Sequence, residues 1–249
     1  MKKLSVLVLP DMHVPEHDQK AFNACMKYAG NHNIDEVVVL GDFMTFDCIS
    51  SHNEKNLRAI SEQTVAKDYE VGNKVLDQLQ TACGKASITL LEGNHEFRIE
   101  RYLDLHPQVE GLLEVENGLK LQQRGIQWVR NWSKGEIYKI GKCSFAHGRY
   151  TNEHHAKKHA IAYGGNIIYG HTHDVQSYSL VRVGEHDTVV AQSLGCLCKY
   201  DQSYMQGQPD KWQQAFGHFY FWPNGEFQYN VVRIFGGKFI GPDGEVYTG

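Results

Sequence analysis

Seven side chains in this sequence are of types that hold divalent metal ions, and each stands just past a short apolar run: Asp11, His13, Asp42, Asn94, His147, His171 and His173. They offer two carboxylates, one amide oxygen and four imidazoles. A mixed nitrogen and oxygen set without thiolate suits Mn²⁺, Fe, Zn²⁺ or Ni²⁺ better than Ca²⁺ or Mg²⁺ alone. Two such ions ~3.5–4 Å apart can share a water, lower its pKa and stabilise both the entering and leaving oxygens of an in-line displacement. The chemistry expected is therefore hydrolysis of a phosphate ester, with two divalent metal ions as cofactors and a hydroxide held between them as nucleophile. Each piece alone says little, since an aspartate at a strand end is commonly a helix N-cap. Five such pieces in order say much more.

The elements that must position these residues are readable as apolar, β-branched runs. Leu4–Leu9 leads into Pro10-Asp11-Met12-His13, and Val37–Leu40 into Gly41-Asp42. Ile88–Leu91 leads into Glu92-Gly93-Asn94-His95-Glu96, Cys143–Ala146 into His147-Gly148, and Asn166–Tyr169 into Gly170-His171-Thr172-His173. Uninterrupted runs of this length suit strands buried on both faces. Between them, His17–Ala29, Ser61–Leu79, Phe97–Leu105 and Glu153–Tyr163 carry helical spacing. Alternating strands and helices predict a layered α/β fold whose ligand site gathers at the carboxyl ends of the strands. The last third changes character: Gln176–Val183, Thr188–Ser193, Phe219–Trp222 and Gln228–Ile234 read as a second, mainly antiparallel set of strands packed on the first sheet. A single domain over residues 1–249 is expected, with a motif-bearing core at 1–175 and C-terminal strands at 176–249.

Composition sets the outer limits. The 249 residues are 41% hydrophobic and 22% charged, with a net charge of −4, which fits a globular protein and opposes a large non-specific nucleic-acid footprint. No apolar run approaches the ~20 residues of a membrane helix, and the basic start Met1-Lys2-Lys3 leads into a core strand rather than a signal sequence, so a cytoplasmic protein without a membrane partner is expected. The six cysteines lack the spacing of a disulfide framework. Cys196 and Cys198 form a lone C-x-C that reads as buried or free thiols rather than a zinc knuckle.

The pattern Asp11-x-His13, Gly41-Asp42, Gly93-Asn94-His95-Glu96, His147-Gly148, Gly170-His171-Thr172-His173 resembles the calcineurin-like metallophosphoesterase superfamily, over about residues 8 to 173. The resemblance implies a four-layer α/β/β/α sandwich, two packed mixed β-sheets flanked by helices. It implies that Asp11, His13 and His173 hold the first metal, that Asn94, His147 and His171 hold the second, and that Asp42 bridges them. His95 would lie over the phosphate and stabilise or protonate the leaving oxygen, with Glu96 either orienting it or capping the following helix. The Ser/Thr protein phosphatases of the superfamily continue the second motif with Asp-Arg-Gly, whereas this chain reads Gly41-Asp42-Phe43-Met44-Thr45. Together with the closing Gly-His-Thr-His, that points to phosphodiesters of nucleotides or nucleic acid as substrate, similar to the small phosphoesterases of phages and bacteria. A phosphomonoesterase is the alternative, and a scaffold that has lost catalysis is a third reading, opposed by the complete ligand set.

Three further readings come from the residues alone. Arg98, two positions past Glu96, is placed to pair with phosphate oxygens. His155 and His159, at i and i+4 with Lys157 and Lys158 between them, read as a solvated helix face. His52 stands near the second motif. Specificity is expected in the loops at Thr45–Arg58 and Lys199–Gln214.

Overall fold

A computed structural model describes residues 3–51, 62–181, 188–201 and 211–249. The chain runs β1 (Leu4–Leu9), α1 (Gln19–Gly30), β2 (Glu36–Val39), α2 (Val65–Cys83), β3 (Ser87–Leu91), α3 (Phe97–Leu105), α4 (Val115–Gly118), α5 (Leu121–Arg124), β4 (Ile126–Val129) and α6 (Asn131–Lys134). It continues through β5 (Tyr138–Ile140), β6 (Cys143–Ala146), α7 (His155–Tyr163), β7 (Asn166–Tyr169), β8 (Ser177–Val181), β9 (Thr188–Ser193), β10 (Ala215–Phe221), β11 (Phe227–Arg233), β12 (Lys238–Ile240) and β13 (Val246–Thr248). No helix among the described residues is long and apolar enough to cross a membrane.

The strands build two large mixed sheets. One has the order β11-β10-β1-β2-β3-β4, parallel from β1 to β4 and antiparallel where β10 joins β1 and β11 joins β10. The other has the order β5-β6-β7-β9-β8, with β6, β7 and β9 parallel and an antiparallel strand at each edge. Side chains alternate between faces. Val6 and Val8 of β1 meet Phe145 of β6, Ile168 of β7 and Phe219 of β10 between the sheets. Leu7 and Leu9 face the other way, onto Phe22 and Tyr28 of α1 and the layer that holds Leu76 and Leu79 of α2. On the far side, Ile167, Tyr169 and Ala191 pack on Ala156 and Ala160 of α7. Both sheets are thus covered on both faces, which is why their strands read as continuous apolar runs. Removing one of the inter-sheet aromatics typically costs about 3–5 kcal/mol.

Local chemistry sets the helix starts. Asp18 caps α1 by accepting from Lys20 N and Ala21 N, so the helix begins at Gln19 and not at His17. Thr64 caps α2 through Lys67 N, so the helix begins at Val65, four residues past the expected boundary at Ser61, which itself lies outside the described residues. The C-terminal strands form no layer of their own. β8 and β9 complete the second sheet, β10 and β11 extend the first beside β1, and among the described strands only β12 and β13 pair separately. The expected separate second set is corrected accordingly: two of the motif strands, β6 and β7, belong to the second sheet.

Candidate metal centre

The carboxyl ends of both sheets meet at one place. Asp11 and His13 follow β1, Asp42 follows β2, and Asn94 follows β3. His147 follows β6, while His171 and His173 follow β7. Among the described residues, the potential donor atoms of Asp11, His13, Asp42 and His173 lie within 4.8 Å of one another, as do those of Asp42, His147 and His171. Asp42 belongs to both groups. Asn94 joins the second, its Oδ1 3.0 Å from His147 Nε2.

Bringing short side chains to one point bends the backbone. Among the described residues, seven non-glycine residues have positive φ, and five of them are Asp11, His13, Asp42, His171 and His173. The left-handed region disfavours residues with a Cβ, and such positions persist where the surrounding fold imposes them. Hydrogen bonds hold them here: His13 N donates to Asp42 O at 2.8 Å, His95 N to Asp42 Oδ1 at 2.9 Å, and His171 N to Asp11 Oδ1 at 2.9 Å. Two glycines make room, since a Cβ at Gly93 would collide with Asp42 Oδ1 and one at Gly170 with Asp11 Oδ2.

The donor chemistry fits divalent ions. His147 Nδ1–H donates to Leu40 O at 2.9 Å, which leaves Nε2 facing the site. Nε2 lies 3.2 Å from Asp42 Oδ2 and 3.0 Å from Asn94 Oδ1. Two oxygens converging on Nε2 call for positive charge there, supplied by a proton on the imidazolium or, with the ring neutral, by a metal ion. On the other side, His13 Nε2 and His173 Nε2 are 3.0 Å apart, with Asp11 Oδ1 3.3 Å from the latter and Asp42 Oδ2 3.7 Å from the former. Burial opposes ionisation of Asp42, yet His147, His95 and His13 hold it well below the usual carboxylate range. Burial likewise opposes charge on His147, but Asp42 and Asp11 lift it to about 9. The same field would attract a metal ion. Asp11, His13, Asp42 and His173 could hold one ion, and Asp42, Asn94, His147 and His171 another.

His95 is buried outside both groups. Its Nδ1–H donates to Thr45 O at 2.9 Å, and its Nε2, 3.9 Å from Asp42 Oδ2, accepts from Arg98 Nη2 at 3.1 Å. Burial, reinforced by Arg98, holds its pKa down to about 4. Arg98 is not an open phosphate ligand as expected: its Nη1 pairs with Asp47 Oδ1 at 2.5 Å and donates to Thr45 O at 2.6 Å. It steadies His95 instead. Glu96 does neither of the two things expected of it. Its carboxylate accepts from Asp42 N at 2.9 Å, Gly93 N at 2.8 Å and Met44 N at 2.7 Å, and makes no side-chain cap to α3. It pins the β2 and β3 loops together, although burial and the Asp42 charge push its own pKa up to about 8.

The reading of His155 and His159 as a solvated face is also corrected. Both are buried. His155 Nδ1 bonds Tyr169 Oη at 2.7 Å and its Nε2 bonds Asp174, next to His173, at 3.0 Å. His159 stacks on Tyr169 at 3.8 Å, and its Nε2 accepts from Arg149 N, two residues past His147, at 3.1 Å. Each imidazole of α7 therefore supports a loop that carries a candidate ligand. His52 lies outside the described residues, as does much of the two expected specificity loops. At the described end of the second loop, the Trp212 ring packs edge-on to His173 at 4.3 Å.

Other neighbours of the site carried no sequence signal that placed them there. Asn131 Oδ1 accepts from His147 N at 2.8 Å, and Glu92 Oε2 accepts from Ser133 N and Oγ at 2.7 and 2.6 Å, fixing α6 beside the site. The buried Cys198 thiol lies 4.0 Å from His173 Nδ1, close enough to join His13 and His173 as a donor. Neither Cys196 nor Cys198 is in a disulfide.

The profile of the calcineurin-like phosphoesterase family matches residues 4–175. The chain belongs to that family. It is similar to the gene 54 protein of Mycobacterium phage L5, 24% identical over 228 residues that cover 85% of this chain and 86% of the relative. It is equally similar to the gene 54 protein of Mycobacterium phage D29, 24% identical over 97% of this chain and 98% of that one. The fold is similar to that of vacuolar protein sorting 29 from Cryptosporidium parvum, with a TM-score of 0.50 and 12% identity over 99% of this chain and 97% of that one.

Proposed function

We propose that this family member is a dinuclear-metal phosphodiesterase in which Asp11, His13, Asp42 and His173 hold one ion and Asp42, Asn94, His147 and His171 the other. The observation that carries the reading is the place of Asp42, the only residue common to the two donor groups. Bound divalent ions, with Mn²⁺ the best match to these donors, would supply Lewis-acid stabilisation of the phosphate and an activated water. Everything else is done by the chain. Gly93 and Gly170 let the carboxylates approach, Glu96 locks Asp42 in its left-handed turn, and His95 faces the centre from outside both donor groups.

A diester is preferred over a monoester for an electrostatic reason. A monoester dianion brings more negative charge and gains more from an open guanidinium, but Arg98, the guanidinium touching His95, is neutralised by Asp47. The absence of Asp-Arg-Gly after Asp42 supports the same choice. The experiment is a comparison of kcat/KM on a bis-aryl phosphate, an aryl monophosphate and a phosphopeptide with added Mn²⁺. We expect the diester to be turned over most efficiently; a clear preference for either monoester overturns the reading.

A further inference from the structure

Beside the His147–His171 end of the site, two exposed cations rest on aromatic faces. Trp132 of α6, partly exposed, packs against His171 and His147 with ring centroids 5.2 and 5.6 Å apart. The Arg149 guanidinium sits 4.8 Å from the Trp132 ring centroid and donates to Trp132 O. One residue on, Tyr150 carries Lys158 Nζ at 4.4 Å. Arg149 and Tyr150, one member of each pair, line a cleft of ≈ 280 Å³ together with Asn131, Ile137 and Tyr163 among others. Neither cation has a carboxylate partner among the described residues, although the chain is acidic overall.

We propose that Trp132, Arg149, Tyr150 and Lys158 form a track for a single-stranded polynucleotide leading away from the second metal position. The proposal rests on the phosphodiesterase reading for its chemistry but not for its geometry. Cations alone would suit any anion. Here each is paired with a π-face, and backbone-tracking charge combined with stacking surfaces is what single strands require. The arrangement is also preorganised. Asn131 and Glu92 fix α6, and His159 fixes the Arg149 backbone, so one face of the guanidinium is committed to indole while the residue remains exposed for a base. An acidic chain with a local cationic strip would bind strands weakly elsewhere and selectively here.

The test is binding of a short fluorescein-labelled oligothymidylate, followed by anisotropy over a salt series, with Mn²⁺-loaded protein and with protein in chelator, where nothing is cut. Arg149→Ala, Lys158→Ala and Trp132→Leu are each expected to weaken binding roughly tenfold. Each lysine or arginine removed should reduce the salt slope by about 0.7. Arg149→Lys should keep the slope yet lose affinity, because an ammonium cannot stack as a guanidinium does. Melting temperatures of the Arg149 and Lys158 variants serve as the folding control. Wild-type protein that fails to bind the strand, or variants that bind as wild type does, overturn the track even if aryl diesters are cleaved. Track-dependent binding without diester cleavage upholds the track and removes the hydrolase reading instead.

Discussion

His95 is next to Asn94 in sequence, yet its side chain belongs to a different set of contacts. Asn94 turns to His147, while His95 is clamped between Thr45 O and Arg98. A residue outside both donor groups can be removed without emptying them. We therefore expect His95→Asn to keep both ions, measured by elemental analysis, and to lose rate by about 10²–10⁴-fold on the same preparation, the range of a proton-transfer group. Loss of an ion would make His95 a ligand; undiminished rate would take it out of the reaction. At this scale the sequence was generous with the ligand candidates, because metal chemistry restricts residue types and strand ends restrict spacing. All seven meet in space. It gave Glu96 and Arg98 other roles and read Cys198 only as a thiol, because their partners Met44, Asp47 and His173 come from elsewhere in the chain and follow no local period.

At the scale of elements, helix α7 shows how a local reading goes astray. Two lysines between His155 and His159 suggest solvent, but Ala156 and Ala160 repeat beside the histidines and pack on the second sheet. The small residues were the better signal, since they bring the helix close enough for His159 to reach the Arg149 backbone and His155 the Asp174 carboxylate. Strand identity was legible from apolar runs, whereas sheet membership was not: β10 returns across the molecule to pair with β1, a contact that no short window contains. That pairing creates a buried polar knot. His218 of β10 bonds Ser5 Oγ of β1 at 2.8 Å through Nε2 and Tyr28 Oη of α1 at 2.6 Å through Nδ1. Burial, followed by the charges of His32 and Lys3, lowers its pKa to about 4; Tyr220 also faces it, and His32 in turn pairs with Asp243. A histidine depressed from ~6.5 binds fewer protons folded than unfolded. Its contribution is therefore complete above about pH 6.5 and is lost as pH falls towards 4, by roughly 3 kcal/mol at most. Chemical denaturation at pH 7, 5.5 and 4.5 should show wild type losing stability faster than His218→Gln. Parallel curves would mean that this knot does not titrate as described.

For the whole molecule, the decisive feature is that neither sheet owns the centre. The first sheet supplies Asp11, His13, Asp42 and Asn94; the second supplies His147, His171 and His173. Each donor group contains residues of both. An ion in either position would tie the two sheets at the rim of their shared core. Binding to the folded state alone stabilises it by about 2.7 kcal/mol at one hundred times the dissociation constant. For a chain of this size that corresponds to a rise of roughly 5–10 °C in melting temperature. We expect chelator-treated protein to melt lower by that amount and Mn²⁺ to restore it in a concentration-dependent manner. Asp42→Ala removes the one residue shared by both groups, so its melting temperature should respond to neither chelator nor Mn²⁺, and its bound metal should fall with it. A variant that still gains the full increment would show that the ions are held without Asp42, and that the carboxylate does not bridge the sheets through them.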